Sequence, residues 1–550
     1  MTVKPDGLSR SLSIIATAAA LSACGGSPSE VFVDTKKPFL LSQTSVACTT
    51  DLGIDCEETK LKAAANHGGA RDLRPNWHEK PADQQTQVVD HLYRNLQPDG
   101  SWELVLGYKP NLAPGIYTGE IEVTIDISWD PFTEYVPSRL AYRLEVKGES
   151  GNLSTLDTLA GAGDWQGSGG NAARNPAVPV TLDASKFNRR WTRRLDMDGV
   201  LGRLGQRPTL AGGKVYLAGA RPAGQTGNFW ALSEYDGAKL WSVALPGRPY
   251  VAVPAGDQIV ALADVTGSDA WIKASMTALT AATGAQRYQR EVAGQVVNAH
   301  GAAAGGGLLV LGEAIKEAIQ AFDLNDGTTR WTASAAARPV LFSYAGWSSA
   351  LDGQRVYTNL DGELRAHRLG DGAREFSIAI PSRPGASSTL LGSQMNQVPV
   401  LADASTVLSL THLGDAEGEA VDNQLSAVDL GTRAVRWTID GRFTTQPVAG
   451  NGVVYVGTAG RLEARSLTTG ALLWSWALPD QRFRSQLVLT QNLLFVATDR
   501  QTLALDLQTH QPVWRYPAGG WIGLSDRGLL YILSRKDGAA QAVLTAFNLR

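Results

Sequence analysis

A phrase of eleven residues that keeps returning along the chain restricts its fold more than any other feature. Ala231 to Trp241 reads ALSEYDGAKLW; with its Ala at position zero, a Gly falls at plus six and an aromatic at plus ten. The further copies are ALTAATGAQRY (Ala278 to Tyr288), AFDLNDGTTRW (Ala321 to Trp331), AHRLGDGAREF (Ala366 to Phe376), AVDLGTRAVRW (Ala427 to Trp437), ARSLTTGALLW (Ala464 to Trp474) and ALDLQTHQPVW (Ala504 to Trp514). An eighth begins as Ala546-Phe547-Asn548-Leu549-Arg550 and stops, while FNRRW, ending at Trp191, reads as its missing half. The expectation is a ring sealed by pairing the last strand with an early one.

Ala, a turn centred on Asp/Thr-Gly and an aromatic describe two strands joined by a tight hairpin, because Gly adopts the positive φ of such turns without steric cost. Two further apolar runs precede each pair, as in Pro208-Thr209-Leu210 and Val215-Tyr216-Leu217 around Gly212-Gly213. Each period is therefore a four-stranded sheet. Spacings between successive Ala residues run from 37 to 61, in or near the range of propeller repeats. One twisted sheet cannot bury both faces, so neighbours must stack, and a closed ring leaves no sheet uncovered. The predicted fold is all-β: an eight-bladed β-propeller over residues 164–550. Its repeat aromatics, Trp191, Trp241, Tyr288, Trp331, Phe376, Trp437, Trp474 and Trp514, are expected between adjacent blades.

A net charge of −3 gives no electrostatic case for nucleic acid. Basic residues crowd at Arg189, Arg190, Arg193, Arg194, Arg203 and Arg207; the plain reading is a solvated rim, the sharper one a polyanion site. Residues 1–23 have the form of a secretion signal, with Lys4 and Arg10 before an apolar run, Leu12 to Leu21, too short to span a bilayer. Leu21-Ser22-Ala23-Cys24 then resembles the lipobox of bacterial lipoproteins. That resemblance implies a lipid on Cys24, a flexible tether over 24–30, and, since Gly25 is not Asp, an outer-membrane anchor facing the periplasm, with the cell surface as an alternative. Cys48 and Cys56 most simply form a disulfide in an exported protein. His67, His78 and His91 lie at spacings unsuited to a metal site.

Residues 31–148 carry no copy of the phrase. Alternation is clear at Trp102 to Leu106, at Ile121, Val123 and Ile125, and at Leu140, Tyr142, Leu144 and Val146. The segment PGIYTGEIEVTI, from Pro114 to Ile125, resembles bacterial immunoglobulin-like domains, which implies a small β-sandwich acting as spacer or binding module. Asp83, Asp90 and Glu103 are acidic without an evident partner. Residues 149–163, rich in Gly, Ser and Thr, read as a linker.

DWQGSGGNAARN from Asp164, together with the repeats, resembles proteins with pyrroloquinoline-quinone-like propeller repeats. Tyr288 and Phe376 replace the Trp of that family's phrase, and Arg433 and His510 its Gly. Two branches pull apart. Quinone-dependent dehydrogenases hold their cofactor on the ring axis with an adjacent-cysteine disulfide, a Trp and a calcium; this ring has no cysteine. The other branch is non-enzymatic and includes the lipoprotein subunit of the outer-membrane barrel-assembly machinery. The expectation is accordingly a monomeric, lipid-anchored scaffold without catalytic residues, cofactor or metal, docking envelope proteins. A quinone-dependent oxidoreductase and a glycan-binding module using Trp230, Trp271 and Trp347 are the alternatives.

Geometry puts the Asp/Thr-Gly turns on one face of the ring and the more variable connections on the other, where binding is expected. The longest repeat spacing, Ala366 to Ala427, contains Ile380 to Gln394 between blades and Thr411 to Asn423 between strands two and three, and the latter holds His412, Asp415, Glu417, Glu419 and Asp422 as a possible partner-binding loop. It lacks the alternating oxygen ligands of an EF-hand, so calcium is the weaker reading. His300, His367 and His510 are scattered over different blades.

Overall fold

The computed structural model describes residues 37–66, 74–82, 86–109, 112–125, 136–148, 151–196, 207–219, 227–266, 272–292, 302–313, 318–334, 349–360, 362–381, 398–410, 422–534 and 541–550. Residues 1–36, which carry the signal, Cys24 and the tether, lie outside them. So do His67, Asp83, Arg203, Trp271, His300, Trp347, His412, Asp415, Glu417 and Glu419.

Residues 209–548 form eight four-stranded sheets, the last completed by Asn188–Asp196. In the first sheet Thr209–Ala211, Lys214–Gly219, Gly227–Ser233 and Lys239–Leu245 pair in chain order, all antiparallel. The same order repeats in the sheets spanning 248–292, 303–334, 349–379, 398–441, 448–477 and 488–516. The first strand of each sheet packs against the first strand of the next, and the first strand of the eighth returns to that of the first, so these strands line the axis of a closed ring.

The closure follows the repeat. Within a blade the Ala at position zero faces the aromatic at plus ten, as in Ala231 opposite Trp241, and the register slips just after it. Across the closing pair Ala546 faces Trp191 with the same slip. The two halves of the eighth phrase thus form one hairpin-like pair without a covalent turn.

Middle strands are buried on both sides, which explains their unbroken apolar runs; all five residues of Thr406–Leu410 are buried. Outer strands are covered on one side only, and Leu472–Ala477 alternates between exposed and half-buried residues. The core between blades is shared. Phe229 and Trp241 of blade one pack with Ile259 and Leu279 of blade two, and Leu262 and Met276 of blade two with Leu309 and Phe322 of blade three.

Ahead of the ring, two four-stranded sheets face each other over a common core of Leu61, Leu104, Leu106, Ile121, Val123, Leu140 and Leu144. Ser45–Asp51 runs parallel to Ser138–Lys147, a pairing that brings together residues 96 positions apart, as in Ser45 opposite Ala141. Cys48 and Cys56 are disulfide-bonded, with Cα atoms 6.2 Å apart. The loop they close carries Leu52, fully buried, and Gly53, which has a positive φ and where a Cβ would stand 2.7 Å from Val543 of the eighth blade. Arg189 reaches Asp51 at 3.2 Å, so the sandwich rests on the blade that seals the ring.

Of the expected linker, residues 149–163, the described part 151–163 runs along the eighth and first blades. Asn152 donates to Arg189 O, Leu159 to Asp526 O, and Asn548 Nδ2 to Asn152 O.

Candidate functional site

Three places position chemistry-bearing side chains: the turns between blades, the axis, and the seam between blades eight and one. At the turns, the aromatic of one blade docks on the plus-six residue of the next. A Cβ on Gly237, Gly284, Gly327, Gly372 or Gly470 would lie within 2.4–2.9 Å of the ring of Trp191, Trp241, Tyr288, Trp331 or Trp437 respectively. These five rings are 9% exposed or less. Each also donates to the plus-three carbonyl of the neighbouring blade: Trp191 Nε1 to Glu234 O (2.9 Å), Trp241 Nε1 to Ala281 O (3.1 Å), Tyr288 Oη to Leu324 O (2.9 Å), Trp331 Nε1 to Leu369 O (2.8 Å) and Trp437 Nε1 to Leu467 O (2.9 Å).

The two substituted turns use the same geometry differently. Arg433 sits 4.7 Å over the Phe376 ring, and His510 stacks on Trp474 at 4.3 Å. Both residues keep the positive φ of the missing Gly, at 54° and 57°. Trp514 of blade seven faces blade eight, whose closing pair has no covalent turn, and packs edge-on against Phe187 and Phe547. Phe376, Trp474 and Trp514 are correspondingly only half-buried. The repeat aromatics are thus packing residues, and His367, buried with Nδ1 3.0 Å from Gly372 O, belongs to the same turn architecture. Burial pushes its imidazole pKa down.

The axis is crossed by the segment that follows Asp164. Trp165 exchanges backbone bonds with Leu210 of blade one; Ala172 O and Ala173 O accept from Leu351 of blade four and Leu401 of blade five. Asn175 bonds both backbone groups of Ala449 in blade six, and Pro176 O accepts from Leu489 in blade seven. Arg174, 2% exposed, donates Nε to Ser349 O at 3.0 Å and Nη2 to Ala302 O at 2.7 Å, so blade three is tied in as well. The segment is a plug that borrows the edge groups of six inner strands.

Burial holds the Arg174 pKa down to about 10. Arg207, 4.2 Å over the Trp521 ring, is pushed to about 9 by burial and by the Arg174 charge. Arg207 stands in the basic cluster read from the sequence, where nothing marked it as facing the axis; Arg174 lies within the phrase from Asp164, with no signal of its own. Two guanidiniums are a poor donor set for a divalent cation, and among the described residues no group of three His, Cys, Asp or Glu could hold a metal. Those residues therefore do not fit the calcium that a quinone cofactor of the familiar kind requires.

At the seam, Arg190 is wholly buried, donating Nε to Tyr235 O and Nη1 to Asn548 Oδ1. Glu234, 1% exposed, occupies a plus-three position that is Ala or Leu in all seven other repeats. Ser525, Tyr531 and Arg527 approach its carboxylate, Arg527 Nε at 3.8 Å, and burial raises its pKa to about 7. The crowded arginines are thus a set of separate contacts. Arg189 pairs with the sandwich, Arg190 is interior, Arg207 is half-buried over Trp521, and Arg193 and Arg194 line a cleft.

Of the expected partner-binding loop, only Asp422 is described, 3.6 Å from Arg442. In the sandwich, Asp90 contacts His91 at 3.0 Å and Glu103 lies 3.7 Å from Lys60. Trp230 of the glycan alternative lies half-buried in the seam cleft.

The chain is similar to proteins of two kinds. A 173-residue stretch is 30% identical to a tetrathionate hydrolase of Acidithiobacillus ferrooxidans, covering 28% of this chain and 34% of that enzyme, so only about a third of the relative's length is matched. Among solved structures, a europium-containing methanol dehydrogenase superposes with a TM-score of 0.52 at 14% identity, over 70% of this chain and 98% of that one. BamB from Moraxella catarrhalis gives 0.47 at 18% identity, over 66% and 98%. The methanol dehydrogenase likeness speaks for the propeller fold alone. Residues 225–418 and 421–529, more than half of the chain, match the family described as outer membrane protein assembly factor BamB, and the chain belongs to that family of quinone-like repeat propellers.

Proposed function

We propose that the protein is a non-catalytic scaffold of the bacterial envelope, anchored by a lipid on Cys24 to the outer membrane and facing the periplasm, that docks envelope proteins on one face of its ring. The observation that carries this reading is the plug. The axis, where a ring of this kind would seat a cofactor, is crossed by the chain's own residues 165–178 and presents the guanidinium of Arg174. Family membership supports the same direction. The docking face is the one bearing the connections between second and third strands and between blades, where lengths vary most and where Asp422 closes the acidic loop.

The test is affinity capture of the tagged, lipidated protein from detergent-solubilised envelopes of its host. Specific recovery of an envelope protein, lost when the acidic side chains of residues 412–422 become Ala, is the expected result. Recovery of no specific partner overturns it. The stretch shared with a tetrathionate hydrolase motivates an enzymatic second reading. Turnover of tetrathionate, or dye reduction with quinone and calcium added, by the purified protein would replace the scaffold with that reading.

A further inference from the structure

The eighth blade is sealed by two strands that no turn connects. Gln541–Asn548 pairs with Asn188–Asp196, and its Asn548 lies opposite Asn188, 360 positions away, whereas each of the other seven blades joins its third and fourth strands through a short turn. A covalent turn keeps a frayed pair within reach of its own register. A pair without one drifts apart once it opens, so the closing pair is where opening of the ring would begin.

The sandwich spans this pair. Within the loop between Cys48 and Cys56, Asp51 meets Arg189 of the earlier strand at 3.2 Å, and Gly53 lies on Val543 of the last one. Val543 is wholly buried and belongs to the same apolar core as Leu52, Leu144 and Val146 of the sandwich. One loop therefore holds both halves of the closure. A second bridge follows the sandwich's last strand: Asn152 donates its N–H to Arg189 O and accepts from Asn548 Nδ2, and Gly151 lies so near Arg190 O that a Cβ would overlap it. Both bridges leave from one corner, because Cys48 pairs with Leu144 and Asp51 with Lys147 along the parallel ladder.

The shape of the loop is set by few bonds. Ile54 N donates to Asp51 O, Leu52 N to Lys147 O and Thr50 Oγ1 to Ile54 O. Ser45–Asp51 is the outermost strand of its sheet, and the disulfide ties the far end of the loop back to it across eight positions. A cross-link over so short a loop removes most of the conformations otherwise open to it. Both cysteines are half-buried, within reach of a small reductant.

We propose that the sandwich is a redox-sensitive latch on the ring, its disulfide-closed loop holding the two strands of the closing pair together. A dithiol opens the latch: its thiolate attacks one sulfur of Cys48–Cys56, its second thiol resolves the mixed disulfide, and two cysteine thiols and the oxidised dithiol remain. Asp51 and Gly53 then lose their fixed positions, and the closing pair loses one of its two bridges.

The experiment is hydrogen exchange read by mass spectrometry on the intact chain in three forms: oxidised, reduced with dithiothreitol, and oxidised Asp51→Ala, which removes the ion pair and keeps the disulfide. Peptides covering 188–196 and 541–548 report the closing pair. Those covering 461–477, where blade six joins the same two strands by a turn, are the reference, and those covering 102–108 report the fold of the sandwich. Reduction should speed exchange at the closing pair by about tenfold or more and leave blade six unchanged. Asp51→Ala should speed it by about threefold with residues 102–108 still protected, so that the effect is not unfolding of the sandwich. Exchange at the closing pair that is unchanged on reduction or in Asp51→Ala, or an equal acceleration in blade six, would overturn the proposal. None of these readouts depends on an envelope partner.

Discussion

At plus six the repeat asks one residue to do two things, and the seven copies that have this position separate them. The position needs a left-handed backbone for the turn, and it needs a flat surface for the preceding blade's ring. Gly meets both demands, and the five rings that rest on Gly are the five that are buried and hydrogen-bonded. Arg433 and His510 keep the backbone and replace the surface with a side chain laid over a ring. Substitution is therefore asymmetric. Gly372→Ala adds a methyl 2.4 Å from Trp331 Cε3 at φ 72°, and should cost about 3 kcal/mol in equilibrium unfolding. Arg433→Gly loses a cation-π contact and gains a relaxed turn, and should stay within about 1 kcal/mol of the parent. Equal effects of the two would mean that ring docking does not set the preference for Gly. The sequence displayed all four exceptions, but not that two of them meet: Phe376 and Arg433 stand 57 positions apart and come together only once blades are stacked, whereas Tyr288 and His510 meet the regular Gly327 and Trp474.

At the scale of the element, the closing sheet is held by side chains that the other seven sheets do not use. Arg190 bridges Tyr235 of blade one and Asn548 at the chain's last strand, and Glu234 sits beneath it where the other repeats place Ala or Leu. Arg190, Arg527, Tyr531, Tyr216 and Asp526 are the charged and titratable groups around that carboxyl. Burial dominates, so its folded pKa of about 7 exceeds the ordinary value of 4.5. The native state then binds more protons than the unfolded chain between these values, and stability falls as pH rises from about 4.5 to about 7, levelling off above. Glu234→Gln removes the penalty. It should leave the unfolding free energy unchanged near pH 4.5 and raise it by roughly 3 kcal/mol at pH 8. Parallel pH profiles for parent and variant would refute the assignment of this slope to Glu234. The ring and its closure were legible in the sequence because Ala, Gly and an aromatic recur at fixed spacing, and the Glu at plus three was visible there as an exception. The parallel pairing of Ser45–Asp51 with Ser138–Lys147 was not, since alternation reports which face a strand buries and is silent about its neighbour.

For the whole molecule, the plug changes what a ring of repeats is mechanically. Blades that touch only their neighbours add stability in series, and local opening can begin anywhere. Residues 165–178 instead bond the inner strands of blades one, four, five, six and seven, and Arg174 adds the carbonyl ahead of blade three. That segment has neither the period of a blade nor the alternation of a strand; its backbone groups find partners only on an assembled axis, so its role could not be read from residue order. Arg174 is its most exacting contact, because a buried guanidinium is tolerated only where carbonyls replace water. Arg174→Ala would leave Ser349 O and Ala302 O short of a donor and open a cavity, at a cost of about 4 kcal/mol. The informative readout is where hydrogen exchange accelerates. If the plug is a common tie, the amides of Leu401, Ala449 and Leu489, in blades five to seven, should lose protection together with those of blades three and four, although Arg174 donates no side-chain bond to them in the contacts given above. Faster exchange confined to blades three and four would mean that each blade holds the segment separately, and that the ring's rigidity comes from the turns between neighbours alone.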